Sequence, residues 1–310
     1  MQLHRVDYQA VTQGRALDQL DEACRKWGFF ELVNHPISHT LCQDMLHAMH
    51  AFFNLSTAVK RRCERTADNH WGFYDRELTK NVQDWKQLFD VGPTLGACIP
   101  QWPEGEPVFR ETTEAFYQSC ERTALGLVGS IARTLGEAPE TLLGGFEGHT
   151  SYLRLNYYPL CHDPAPADTP TGTRRGHLGI SHHSDAGAVT ILLQDGQPGL
   201  QVERGGKWHS ISAERGSVLV NIGDVVQVWS NDRYIAPVHR VLASDEAVRY
   251  SAPFFLNPSF DAFYAPLPGA LGGRAPRYRD ISWRDFREGR ARGDYADYGH
   301  EIQISDFHIP

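Results

Sequence analysis

Apolar residues recur at steps of three and four along the first part of the chain and gather in short β-rich runs along the second. That change is the main structural signal. In "RALDQLDEACRKWGFF" the residues Leu17, Leu20, Cys24 and Trp27 fall on one stripe, which predicts an amphipathic helix ending at Gly28. "FFELVNH" then has the aromatic and β-branched content of a short strand. Ser38 is placed to cap a second helix, with Leu41, Met45, Met49, Phe52 and Phe53 on its buried face, and Ser56 to cap a shorter third. A long helix is predicted over roughly residues 108 to 136, where Phe116, Cys120, Leu127, Val128, Ile131 and Leu135 keep near-helical spacing.

Near residue 150 the rhythm changes. "SYLRLNYYP", "AVTILLQD", "LQVERGGKWHSI", "GSVLVNIGDVVQVWS", "APVHRVLAS" and "VRYSAPFFLNPS" are short β-rich runs divided by Gly, Asn, Asp and Pro, as in a sandwich or barrel. The spacer 161–179, dense in Pro, Gly and Thr, reads as an exposed loop. "SWRDFREGRARGDYADYG" reads as a closing helix. With no repeat and no linker, the expectation is one catalytic domain over 1–310: a helix-rich part to about 148, a β core over about 149–268 and a helical tail over about 269–310. The fold class expected is α+β with a mainly β core.

Composition narrows the function. A formal net charge of −8 without clustered Lys and Arg argues against a nucleic-acid partner. No apolar run approaches the ~18 residues of a membrane span. The start, "MQLHRVDYQAVTQ", lacks the order of a secretion signal. The six cysteines are scattered without a CxxC pair, so they are expected to be reduced thiols in the cytoplasm. Oligomeric state is not legible.

The candidate chemistry lies in "ISHHSDAGAVTILLQD". In a strand, alternate side chains share a face, so His183 and Asp185 project together and His182 points away. Ala186 and Gly187 leave room beside a metal. Most of the other histidines fall on helix faces, in loops or near the ends. His239, in "IAPVHRVLAS", starts a strand well after the pair, as a ligand brought in by a rolled sheet would. Two imidazoles and one carboxylate make the facial triad of non-haem Fe(II) oxygenases, with positions left for oxygen and a co-substrate. Ten residues on, "SDEA" is read as a turn folding the strand from His239 back on itself, with Arg249 and Ser251 of "VRYS" on one face. Arginine offers a planar, permanently charged fork for a carboxylate, and the serine adds a hydroxyl. In "LRLNYYPLC", Asn156 and Tyr158 share a strand face and could hydrogen-bond a bound oxo-acid.

These stretches, with "KWGFFELVNHPI", "PGLQV", "GKWHSI" and "SNDRY", resemble the isopenicillin N synthase-like family of Fe(II)/2-oxoglutarate-dependent dioxygenases over roughly residues 15 to 268. The resemblance implies a distorted double-stranded β-helix, or jelly roll, flanked by helices. It implies Fe(II) on His183, Asp185 and His239, the distal carboxylate of 2-oxoglutarate on Arg249 and Ser251, and Asn156 and Tyr158 near the co-substrate. The implied reaction couples oxidative decarboxylation of 2-oxoglutarate by O2 to oxidation of a small molecule, usually hydroxylation, sometimes desaturation or cyclisation.

An oxidase of the same fold would dispense with 2-oxoglutarate and clamp its substrate's carboxylate at Arg249/Ser251. A zinc hydrolase could use the same three ligands but has no need of that clamp, and a non-catalytic jelly-roll binding module has no need of the triad. Candidate substrate contacts are Phe73, Tyr74 and Trp85 with Arg76, Lys80 and Lys86 in the 70–92 segment, together with the tail from about 282.

Overall fold

The computed structural model describes residues 3–79, 81–171, 173, 175–212, 215–292 and 302–310. Strand β1 (His4–Asp7) leads into helix α1 (Tyr8–Thr12), which the Asp7 carboxylate caps by accepting from the Ala10 amide. Helix α2 (Leu17–Lys26) buries Leu20 and Cys24. Gly28, at φ 63°, then turns the chain into β2 (Phe29–Val33). Ser38 caps α3 (His39–Phe53) and Ser56 caps α4 (Thr57–Lys60), each through its hydroxyl. The segment expected to be mainly helical then adds β3 (Gly72–Tyr74), β4 (Leu78–Thr79), β5 (Val82–Gln83) and β6 (Gln87–Val91). The long helix is α5 (Pro107–Thr134), followed by α6 (Glu140–Leu143).

The β-rich runs become β7 (Tyr152–Tyr158), β8 (Leu178–His183), β9 (Val189–Gln194), β10 (Leu200–Arg204), β11 (Lys207–Ser210) and β12 (Val218–Ile222). One run is corrected. "GSVLVNIGDVVQVWS" leaves the strand at Ile222 and continues as helix α7 (Asp224–Trp229). A short stretch dominated by valine, leucine and isoleucine shows too little period to separate helix from strand. What bends it is tertiary, since the amides of Asp224 and Val225 bond to the carbonyls of Asp185 and Gly187 at 2.8 and 3.2 Å. β13 (His239–Leu242), β14 (Arg249–Leu256), β15 (Phe263–Tyr264), α8 (Pro268–Leu271), β16 (Ile281–Ser282) and α9 (Trp283–Arg292) complete the order. The rest of the predicted closing helix lies outside the described residues.

The architecture is mixed α and β, built on two large sheets. An open eight-stranded sheet runs β1-β2-β12-β9-β14-β7-β6-β3, antiparallel except for β1 and β2. A four-stranded sheet runs β11-β10-β13-β8. β2 pairs with β12 and β6 with β7, so the first part of the chain contributes four strands to the sheet that carries the second. The expected hairpin at "SDEA" is also corrected: β13 pairs with β10 and β8, whereas β14 pairs with β7 and β9. The turn carries the chain from one sheet to the other.

Alternation divides the core. On β9, Ile191 and Leu193 join Leu153, Leu155 and Phe254 against α3 and α5, whose Met45, Met49, Phe52, Phe116 and Leu127 are all buried. Leu192 faces the other way, with Phe29, Tyr158 and Leu219 of the large sheet and Leu200, Val202 and Val241 of the small one. The two sheets thus pack face to face, and a cavity lined by both polar and apolar side chains opens where that second cluster ends.

Candidate metal centre

His183 closes β8 and His239 opens β13, and the two are direct partners in the register of those strands. Asp185 is not on a strand, because β8 ends at His183. His183 and Asp185 therefore do not share a strand face as expected: Asp185 stands in the turn toward β9, and two side chains hold it there. Thr190 Oγ1 and Asn221 Nδ2 donate to its Oδ2 at 2.5 and 2.7 Å. Its Oδ1 is left facing the histidines, 3.6 Å from each Nε2.

Tautomers follow from the remaining contacts. His183 Nδ1 lies 2.8 Å from the Ser181 carbonyl, and His239 Nδ1 lies 3.0 Å from the Pro237 carbonyl. A carbonyl only accepts, so each Nδ1 donates there and each Nε2 is left facing Asp185. Burial, reinforced by the neighbouring His239 imidazole, pushes His183 down to about 3, so it is neutral near pH 7. Burial opposes ionisation of Asp185, but His239, His183, Asn221 and Thr190 outweigh it and hold the carboxyl below its ordinary range. One ligand atom from each of the three residues lies within 4.8 Å of the others. Two imidazoles and one carboxylate suit a borderline divalent ion such as Fe(II), and the turn residues Ala186 and Gly187 line the same cavity. Gly187 is small for another reason too: a Cβ there would meet the Leu256 carbonyl at 2.7 Å.

Arg249, Ser251, Asn156 and Tyr158 line this cavity of about 150 Å3. β14 and β7 place Arg249 opposite Tyr158 and Ser251 opposite Asn156. The Ser251 hydroxyl is 3.5 Å from both Asn156 Nδ2 and the Tyr158 hydroxyl. Arg249 is 3% exposed; its Nη2 donates to Gln194 Oε1, while Nε and Nη1 have no partner and neither does Asn156 Oδ1. Buried donors left unmet cost about 1–3 kcal/mol each, more on a charged group. An arginine held so, with a hydroxyl beside it, is ready for a carboxylate.

The sequence-predicted substrate contacts lie elsewhere. Phe73 is fully buried in the core, and Tyr74 lies under the Arg65 guanidinium, 4.0 Å from its ring centroid. Arg76 pairs with Glu64 and Asp75 on the outside, and Trp85 packs against His162 and His177. None of these four lines the cavity, and Lys80 lies outside the described residues. Lys86 does line it, inside a buried network. Its Nζ lies 2.7 Å from Glu77 and 3.0 Å from Asp84, Arg154 bridges Glu77 and Asp90 at 2.8 Å, and Arg65 reaches both of those carboxylates. Sequence reasoning missed Thr190, Gln194 and Asn221. Asn221, polar amid "VLVNI", is the one that a scan for polar residues in apolar strands could have found.

Residues 149–258 match the family model of the 2OG-Fe(II) oxygenase superfamily, and residues 3–107 match that of the non-haem dioxygenase in morphine synthesis N-terminal region. Jasmonate-induced oxygenase 4 of Arabidopsis thaliana is 33% identical over 274 residues, covering 86% of this chain and 75% of the relative. The 2-oxoglutarate-dependent dioxygenase 11 of Oryza sativa subsp. japonica is 32% identical over 273 residues, covering 86% and 74%. The crystal structure of JOX2 in complex with 2OG, Fe and JA superposes with a TM-score of 0.85 at 26% identity, covering 100% of this chain and 90% of that one. With these matches beside a His–Asp–His cluster, the chain belongs to the isopenicillin N synthase-like family of Fe(II)/2-oxoglutarate-dependent dioxygenases, enzymes that oxidise a small molecule as they decarboxylate 2-oxoglutarate.

Proposed function

We propose that His183, Asp185 and His239 hold the iron and that Arg249 and Ser251, with Tyr158 and Asn156, hold 2-oxoglutarate. The observation that carries this is one cavity with two complementary ends: two imidazole nitrogens and a carboxylate oxygen converge at one, and a buried arginine with two unmet donors stands at the other. The same two ends favour an iron enzyme over a hydrolase or a binding module, and the similarity to 2-oxoglutarate-dependent relatives favours the dioxygenase over an oxidase. The packed sheets support the reading of the core as a distorted jelly roll. The four strands of the first half in the large sheet support one catalytic domain over 1–310.

When bound, the iron supplies redox and oxygen chemistry that no side chain offers. The chain's own residues bind and orient. Ser181 and Pro237 fix the histidine tautomers, Thr190 and Asn221 leave one Asp185 oxygen for the ion, and Gln194 steadies the Arg249 fork. Leu192, Leu200 and Val241 bound the cavity with apolar surface and limit water. The substrate is a small molecule, with no nucleic-acid partner. None of the described helices is long and apolar enough to cross a membrane, and the six cysteines are free thiols, as a reducing cytoplasm would keep them.

The test is an anaerobic titration with Fe(II) and then 2-oxoglutarate, following the visible metal-to-ligand charge-transfer band. The reading expects a band in the wild type, none in His183→Ala and a weakened one in Arg249→Ala. Stoichiometric iron without a band would point to the oxidase, and no iron binding would sink the assignment.

A further inference from the structure

The cavity is longer than 2-oxoglutarate needs. On β7 and β14 its floor descends from the pair Tyr158/Arg249 through Asn156/Ser251 to Tyr152/Phe255. At ~3.4 Å per residue, the last pair lies roughly 14 Å beyond the Ser251 clamp, which leaves space for a second molecule. That outer end is aromatic. Tyr152 and Phe255 stack with ring centroids 4.8 Å apart at 29°, and both are partly open.

Most of the charged side chains around the cavity are engaged with partners of their own. Arg65, Lys86 and Arg154 are matched by Glu77, Asp84 and Asp90. Arg290 donates to the Ser184 carbonyl at 2.8 Å and to Gln303 at 3.2 Å. Asp185 and Arg249 are taken by iron and 2-oxoglutarate under the assignment above. Arg287, half-buried on the same helix, lines the outer end with its Cζ 5.6 Å from the Tyr152 ring centroid. Among the described residues no carboxylate is within bridging distance of it.

Resting on that assignment, we propose that the primary substrate is an organic acid with a planar or apolar body, whose carboxylate is received by Arg287 while the body lies on the Tyr152–Phe255 face. A guanidinium in a partly desolvated pocket favours an anion and penalises a cation, and the stacked rings reward a flat or apolar partner.

The experiment loads the protein anaerobically with Fe(II) and 2-oxoglutarate. Binding of 4-phenylbutanoate, its methyl ester and 4-phenylbutylamine is then followed through the perturbation of the charge-transfer band. The acid is expected to bind at least tenfold more tightly than the ester or the amine. Arg287→Gln should abolish that preference and Arg287→Lys retain most of it. Arg284→Gln, which alters an outward arginine paired with Asp261, should leave it intact. The band recorded in each variant reports that its site is assembled. Failure of the acid to bind, equal binding of acid and ester, or a preference that survives Arg287→Gln would overturn the proposal. Absence of the band from the wild type would instead overturn the iron and 2-oxoglutarate assignment beneath it.

Discussion

His183 and His239 occupy one rung of the β8–β13 ladder, with ring centroids 4.3 Å apart, and each ties its Nδ1 to the carbonyl two residues upstream. The same local device is thus used twice, and it leaves both Nε2 atoms facing Asp185. The two histidines are preorganised by backbone, and Asp185 by the side chains of Thr190 and Asn221.

The Asp185 anchors can be tested without touching a ligand. Asn221→Leu removes one of the two donors to Oδ2 and lets the carboxylate turn. Iron affinity should fall about 10- to 100-fold, as for other residues that orient a metal ligand, with the secondary structure unchanged. Anaerobic iron titration with circular dichroism checks both halves, and an unchanged affinity would remove Asn221 from the account.

Arg249→Lys keeps the charge but loses the fork. With one donor of the fork given to Gln194, the other nitrogens are those available for a carboxylate. The KM for 2-oxoglutarate should rise about tenfold or more, corresponding to roughly 1.5–3 kcal/mol for hydrogen bonds to a charged group. Succinate-release kinetics measure it, and a KM within twofold of wild type would contradict the assignment.

Gly187→Ala probes packing around the same turn. The added Cβ would press on the Leu256 carbonyl and the Asn257 side chain. The turn between Asp185 and β9 must shift, at about 1–3 kcal/mol for overpacking. Weaker iron binding together with a lower denaturation midpoint is the expected pair of results.

The buried network should govern the acid limb of stability. Burial opposes ionisation of Glu77, but Arg154, Lys86 and Arg65 prevail and hold it below its ordinary 4.5. Its contribution is therefore fully present above about that pH and fades as the pH falls through the lower folded value. Burial raises Asp84 above 3.8 despite Lys86, which works in the opposite sense: its contribution is fully present near and below 3.8 and is lost as pH rises through the raised folded value. Glu77→Gln leaves three cations facing two carboxylates, and breaking a buried pair costs about 3–5 kcal/mol. Denaturant unfolding should show that gap at pH 7 and a narrower one toward pH 3. A gap independent of pH would mean that Glu77 is not the titrating group.

Much of the fold was legible because its causes are local. The stripe of Leu20 and Cys24, the Ser38 and Ser56 caps and the long α5 repeat follow from spacing and capping chemistry, which the chain carries wherever it is placed. Asp185 was found for a reason that did not hold, since its position comes from Thr190 and Asn221 and not from strand alternation.

Residue types and order along the chain were enough to name two imidazoles, a carboxylate and an arginine with its serine, and the family they belong to. Their three-dimensional relations came only with long-range pairing. The "SDEA" turn crosses between sheets instead of closing a hairpin, because the partners of β13 and β14 lie elsewhere in the chain. The helix after Gly223 forms because amides of α7 meet the carbonyls of the metal turn. The cavity's outer end is shaped by α9, more than a hundred positions from β7 in sequence. Spacing and capping act over a few residues, whereas the place of Arg287 beside Tyr152 exists only once α9 has packed against the sheet.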